Sequence, residues 1–272
     1  MIPQANITAW RTIAPWPDDA QVEQDLAMSR AAVELFADPD LSRQIALRGG
    51  TALNKLFIVP GVRYSEDIDL VQTKAGPAGP LIDAIRARID PWLGKPTRTR
   101  NRGSVALRYQ FESEIPPVRL LRLKIEVNTR EHFTVLGLQS RQMVVSNPWF
   151  MAQAQITTYQ LNELMGTKLR ALYQRRKGRD LFDLWLCLER NLINPDQVIA
   201  CFLRYMEHEG HTVSRAEFEE NLHDKQANSA FMNDIAPLLS SAVRYDPVEA
   251  IPLVRSMLID RLPGTRWRGI EK

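Results

Sequence analysis

The chain has 272 residues, 44% of them apolar, enough to build one large domain or two moderate ones around a sizeable core, which argues against disorder. A net charge of +3 permits nucleic-acid binding without demanding it. Two cysteines, Cys187 and Cys201, both in apolar helical text, do not indicate a disulfide framework and fit a reducing cytoplasm; no secretory leader is read at the N-terminus, and no apolar run reaches membrane-spanning length.

In chain order, Asp18 to Phe36 predicts a first helix, with Asp18 or Asp19 as cap and Val22, Leu26, Ser29, Val33 and Phe36 at helical spacing. Ile45 to Arg48 predicts a short strand that runs into Gly49-Gly50, and Thr51 to Phe57 a short helix. Asp67 to Val71 predicts a second strand, and Leu81 to Leu93 a helix behind a Gly/Pro loop. A Thr/Arg-rich stretch follows, and then two alternating segments, Ser104 to Glu112 and Arg119 to Asn128, predict strands. Met143 to Val145 is read as a last short strand. From Thr157 onward the text is helical: 158–176, 180–190, 196–208, 214–223 and 247–262, with Pro195 suited to a first helical turn. The expected division lies near Trp149.

The residues able to carry chemistry begin with Asp67 and Asp69. On a strand they share one face while Ile68 and Leu70 share the other. Two carboxylates side by side repel unless a cation lies between them, and magnesium pairs one or two carboxylates with substrate phosphates. The turn Gly49-Gly50-Thr51 offers backbone N–H groups to phosphate oxygens, although Gly-Gly can equally be only a tight turn. Glu126, on a later strand, is a third acid that could join the first two; alternatively it belongs to a solvated face, paired with Lys124 or Arg122.

Lys168 falls inside the apolar stripe of Leu161, Leu164, Met165 and Leu172, where a lysine needs anions such as triphosphate oxygens or must snorkel to water. Asp183 lies in a helix that is apolar on nearly every side, so it needs a partner, with Lys168, Arg175 and Arg179 as candidates, while Asp180 can stabilise the N-terminus of that helix. Arginines from Arg98 to Arg130, and a second group from Arg170 to Arg179, could meet a nucleic-acid backbone or be ordinary surface charge. Glu207, His208 and His211 hint at a metal site, but Gly210 interrupts the helix.

Placed together, these pieces make the chain resemble the nucleotidyltransferase toxins of the AbiEii/AbiGii type, within the DNA polymerase β-like nucleotidyltransferase superfamily. The resemblance covers roughly Ile45 to Arg190. It rests on four motifs in order: Gly49-Gly50-Thr51-Ala52-Leu53; Ser65-Glu66-Asp67-Ile68-Asp69-Leu70; Lys168-Leu169-Arg170-Ala171-Leu172 through Arg175; and Arg179-Asp180-Leu181-Phe182-Asp183-Leu184.

The resemblance implies an α+β fold, with a mixed-sheet nucleotidyltransferase domain over 1–148 and a helical domain over 149–272 that contributes to the active-site cleft. It implies a toxin of a toxin–antitoxin or phage-defence pair, with an antitoxin protein as partner. The enzyme would use a nucleoside triphosphate and magnesium or manganese to add nucleotides to RNA, in some members the tRNA acceptor end, and so block translation. Asp67 and Asp69 would hold metal, with Glu126 possible as the superfamily's third acid. Gly49, Gly50, Thr51, Lys168 and Arg175 would bind the nucleotide, and Asp183 would orient Lys168 or another site residue. A cytoplasmic location is expected, with neither membrane nor DNA as partner. Two alternatives stand beside this reading: a non-catalytic nucleotide- or RNA-binding protein, and a transferase whose acceptor is a small molecule or a protein.

Overall fold

The computed structural model describes residues 2–269. The chain forms two compact units: one runs to Tyr159 and takes in Leu238–Val243, and the other holds Gln160–Pro237 and the stretch from Arg244 onward.

The first unit is built on a seven-stranded mixed sheet of strands β1 (Ile45–Arg48), β2 (Asp67–Gln72), β3 (Thr97–Asn101), β4 (Ser104–Glu112), β5 (Leu120–Asn128), β6 (Leu138–Asn147) and β7 (Phe150–Tyr159). Their order is β3-β4-β5-β2-β1-β7-β6. β2 pairs with β5, and β1 with β7, in parallel, whereas β1 and β2 run antiparallel. The alternation of β5 explains its place in the sheet. Leu121, Leu123, Ile125 and Val127 are buried, while Arg122, Lys124, Glu126 and Asn128 face the other way.

Three helices precede β1: α1 (Gln4–Trp10), α2 (Asp19–Ala37) and α3 (Pro39–Ser42). Asp18 caps α2 by accepting from the Ala20 N–H at 2.9 Å, and Val22, Leu26, Val33 and Phe36 are buried, as their spacing predicts. Asp25 sits in this apolar stripe fully enclosed. It accepts from the indole N–H groups of Trp10 (2.8 Å) and Trp16 (3.0 Å) and pairs with Lys55 at 2.6 Å, so a buried charge is matched by three donors.

Three elements differ from the sequence-based expectation. The helix after the Gly-Gly turn starts at Gly49 as α4 (Gly49–Ala52) and continues as a π-helical turn, Leu53–Phe57. The Thr/Arg-rich stretch is edge strand β3. The short strand at Met143 is ten-residue β6, hairpinned to β7, which occupies text expected to be loop and helix. In β7, Ala154, Ile156 and Thr158 point inward and Gln153 and Gln155 outward, a two-residue period muted by small and amide side chains. The division expected at residue 149 falls before this strand.

α5 (Ala78–Leu93) completes the first unit, and the second is helical: α6 (Leu161–Gln174), α7 (Gly178–Glu189), α8 (Pro195–His208), α9 (Arg215–Gln226), α10 (Ser229–Asn233) and α11 (Pro247–Met257). Asn194 caps α8 ahead of Pro195, and Ser214 forms a reciprocal capping box with Glu217 on α9. α6 packs on α8 at Gly166, where a Cβ would lie 2.5 Å from the Cys201 Cβ. Cys187 and Cys201 are buried free thiols, and among the described residues no helix is long and apolar enough to cross a membrane.

Candidate active site

Strand register places the first set of residues. Asp67 is opposite Lys124 and Asp69 opposite Glu126 across the β2–β5 pair, and Arg48 is opposite Asp69 across β1–β2. Directly opposed residues share a sheet face, so Arg48, Asp67, Asp69, Lys124 and Glu126 all project from one side. Ile68, Leu70, Ile125 and Val127 fill the core on the other.

The Lys124 ammonium lies 2.8 Å from Asp67 Oδ2 and 3.1 Å from Glu126 Oε2, bridging the two carboxylates. Burial pulls Lys124 down, but Asp67, Asp69 and Glu126 outweigh it and raise its pKa. Glu126 is pushed up by burial and brought lower overall by the Ser104 hydroxyl, Lys124 and Arg48. Asp67 stays above its ordinary value because burial, helped by Glu66 and Glu126, outweighs Lys124. The face therefore carries more negative charge than Lys124 alone offsets. Arg48 is paired with Glu131.

The Gly-Gly turn is locked onto this strand. Gly49 has φ +77°, and a Cβ there would stand 2.3 Å from Asp69 Oδ2. A Cβ on Gly50 would stand 2.5 Å from Arg63 Nη2 and 2.9 Å from Ser65 Oγ. Thr51 is buried; its hydroxyl bonds the Asp67 carbonyl and lies 3.0 Å from Ser65 Oγ. The hydroxyl thus ties the turn to β2 instead of facing outward, and what Thr51 can offer a phosphate is its backbone N–H.

Among the described residues no group of three or more His, Cys, Asp or Glu side chains is disposed to hold a metal. That covers the hint at Glu207, His208 and His211, where Glu207 instead bonds Arg204. It also bears on Asp67, Asp69 and Glu126, which share a face but do not converge as a trio, since Lys124 stands between the first and the third.

The second set lies within the helical unit. Lys168 Nζ is 3.1 Å from Asp180 Oδ1 and 2.9 Å from Asp183 Oδ2, with the lysine side chain 7% exposed and both carboxylates 0%. Arg175 forks onto Asp180, Nε at 2.7 Å and Nη2 at 2.9 Å. Burial pushes Asp180 up, but Lys168 and Arg175 prevail and bring it to about 2. Of the partners considered for Asp183, Lys168 is there, Arg175 goes to Asp180, and Arg179 goes to Asp234 at 3.1 Å. Asp180, expected only to stabilise a helix end, is the hub of this cluster.

Sequence reasoning did not connect Arg48, Arg63 or Ser65 to the Gly-Gly turn, nor Glu131 to Arg48. Arg48, directly before Gly49, is the one with a legible signal; the others depend on loop geometry.

The sequence profile described as "Nucleotidyl transferase AbiEii toxin, Type IV TA system" matches residues 30–251. The chain belongs to the AbiEii nucleotidyltransferase toxin family. It is accordingly a nucleotidyltransferase and a toxin of a type IV toxin–antitoxin system, and the AbiEii family implies an antitoxin as its counterpart. The fold is similar to that of MenT4, a nucleotidyltransferase toxin from Mycobacterium tuberculosis H37Rv, with a TM-score of 0.60 and 14% identity over 97% of this chain and 91% of that one. It is also similar to JHP933 from Helicobacter pylori, with a TM-score of 0.53 and 16% identity over 88% of this chain and 90% of that one. No curated protein matches this AbiEii chain in sequence.

Proposed function

We propose that this toxin transfers nucleotides from a nucleoside triphosphate to RNA, with the tRNA acceptor end as its substrate, and so stops translation. The carrying observation is the joint placement of Asp67 and Asp69 on one sheet face with the Gly49 backbone pressed against Asp69. Two hard carboxylate donors beside a turn with backbone N–H groups suit a magnesium ion, or manganese, shared with triphosphate oxygens. The same face already draws the Lys124 ammonium between two carboxylates. A divalent ion there would supply neutralisation of phosphate charge.

The chain's own groups take the remaining roles. Gly49, Gly50 and Thr51 direct backbone N–H groups at the triphosphate. Glu126, tied to Lys124, sets the position of that lysine rather than serving as a third ligand. Asp180 and Asp183 hold Lys168 within the helical unit, and Arg175, bonded to Asp180 but half exposed, is the cation of that unit proposed to meet nucleotide phosphate. The terminal hydroxyl oxygen of the acceptor forms the new bond to the α-phosphorus and gives up its proton to solvent, the bond from that phosphorus to the bridging oxygen breaks, and pyrophosphate leaves.

Incubation of the purified protein with magnesium, each labelled nucleoside triphosphate in turn, and total RNA tests this directly. Label at RNA 3′ ends, concentrated in tRNA, is the expected result. Label that reaches only small molecules or protein would overturn the choice of acceptor.

A further inference from the structure

Arginines of the first unit divide sharply by their partners. Arg11, Arg30, Arg43, Arg86, Arg88 and Arg119 each meet a carboxylate. Among the described residues, Arg98, Arg100, Arg102, Arg108, Arg122 and Arg130 meet none, and all six are exposed. They come from β3, β4, β5 and the adjoining turns, so these six gather at one edge of the sheet, whereas Arg141 on β6 at the other edge stands over the Phe57 ring.

Their placement relative to the acids is ordered. Arg108 is opposite Lys124, and Arg122 is opposite Gln110, so both arginines project from the face that carries Asp67, Asp69 and Glu126. Arg108 is steadied by a 2.6 Å hydrogen bond to Thr99 Oγ1. Arg122 lies four residues before Glu126 on β5, about 13 Å away at about 3.3 Å per residue. At the other end of β5, Arg130 follows Asn128, and its stem crosses the β3–β4 turn, where a Cβ on Gly103 would be 2.0 Å from Arg130 Cδ. Arg102 occupies that same turn. The acids are thus flanked along the strand by Arg108 and Arg122 on one side and by Arg102 and Arg130 on the other.

Unpaired guanidinium groups with this spacing suit a chain of phosphates better than one compact anion, because each can bond a separate phosphate in a fixed geometry. We infer that the β3–β5 edge, through Arg102, Arg108, Arg122 and Arg130, is the track that holds the phosphate backbone of the acceptor RNA across the Asp67/Asp69 face. The inference rests on the reading of RNA as acceptor.

Salt-dependent binding of a fluorescent mixed-sequence oligoribonucleotide tests it, with wild type, the R102Q/R108Q/R122Q/R130Q variant, the corresponding four-lysine variant and R43Q as an off-track control. Each lost phosphate contact should reduce the slope of log affinity against log salt by about 0.7, so the glutamine variant should lose nearly three units of slope and bind at least tenfold more weakly. The lysine variant should keep most of the slope, R43Q all of it, and magnesium–nucleotide binding should be unchanged throughout. A glutamine variant with wild-type slope and affinity would overturn the track. So would tighter binding of duplex DNA than of RNA, or loss of an acidic protein partner with RNA binding intact. Arginine-dependent RNA binding by a wild-type protein that transfers no nucleotide would support the track while refuting the transfer reading.

Discussion

The backbone of Gly49 lies so close to Asp69 that a Cβ on the glycine would stand 2.3 Å from the carboxylate oxygen Oδ2. The Gly-Gly turn, proposed to bind phosphate, and the proposed metal ligand therefore define each other's position. Gly49 also has φ +77°, a conformation that costs an L-residue about 1–2 kcal/mol. Gly49→Ala should lower stability by roughly that amount, displace Asp69 and reduce nucleotidyl transfer at least tenfold. Gly79→Ala, on α5 where a Cβ meets nothing within 4 Å, should leave transfer unchanged and keep or raise stability by about 0.4–1 kcal/mol. Thermal denaturation and transfer rates on the two variants check the contrast.

Lys124 predicts a different behaviour. Replacing it by methionine removes the cation bonded to both Asp67 and Glu126. Stability without divalent ions should fall by about 1 kcal/mol, the scale of a partly exposed pair. Added magnesium should then raise the melting temperature of Lys124→Met more than that of wild type. Equal shifts in the two proteins would mean that the lysine and the ion do not share this site.

The buried cluster in the helical unit predicts strong coupling. Lys168→Met leaves Asp183 enclosed without the lysine 2.9 Å away, and loss of one partner of a buried pair costs about 3–5 kcal/mol. The double variant Lys168→Met/Asp183→Asn should recover part of that loss, which a double-mutant cycle in urea would measure. Additive effects would contradict the pairing.

Acid should weaken the same cluster. Asp180 has an ordinary value of 3.8 and is held at about 2 in the folded protein, burial being outweighed by Lys168 and Arg175. A carboxyl depressed on folding stabilises fully above its unfolded value and loses that contribution as pH falls through the folded one. Between about pH 4 and about pH 2, wild type should therefore lose stability more steeply than Asp180→Asn. Urea titrations across that range show whether the acid limbs differ.

Much of the candidate site was legible because its elements follow simple periods. The alternation of Leu121 to Val127 aims Glu126 and Lys124 to one side, and Asp-x-Asp on β2 does the same for Asp67 and Asp69. Lys168 and Asp183 stood out as charges in apolar stripes, and they are paired. What could not be read depends on register and loop geometry. Arg122 and Lys124 share a face, so periodicity cannot say which of them reaches Glu126; the pairing of Lys124 with Asp67 decides it. β7 went unread because Ala152, Gln153, Ala154 and Gln155 carry little contrast between buried and exposed positions. Asp180 was placed at a helix end by sequence, whereas only the packing of α6 against α7 shows it enclosed by Lys168 and Arg175.

The central claim is that Asp67 and Asp69 on β2 carry nucleotidyl transfer to RNA. Its most direct test is the rate of labelled nucleotide incorporation into tRNA by wild type and by Asp69→Asn, each shown to be folded by an unchanged thermal transition in the absence of magnesium. The expected result is a folded variant whose rate falls about 1000-fold or more, equivalent to about 4 kcal/mol of lost transition-state stabilisation. A folded Asp69→Asn protein that labels tRNA at the wild-type rate would contradict the assignment.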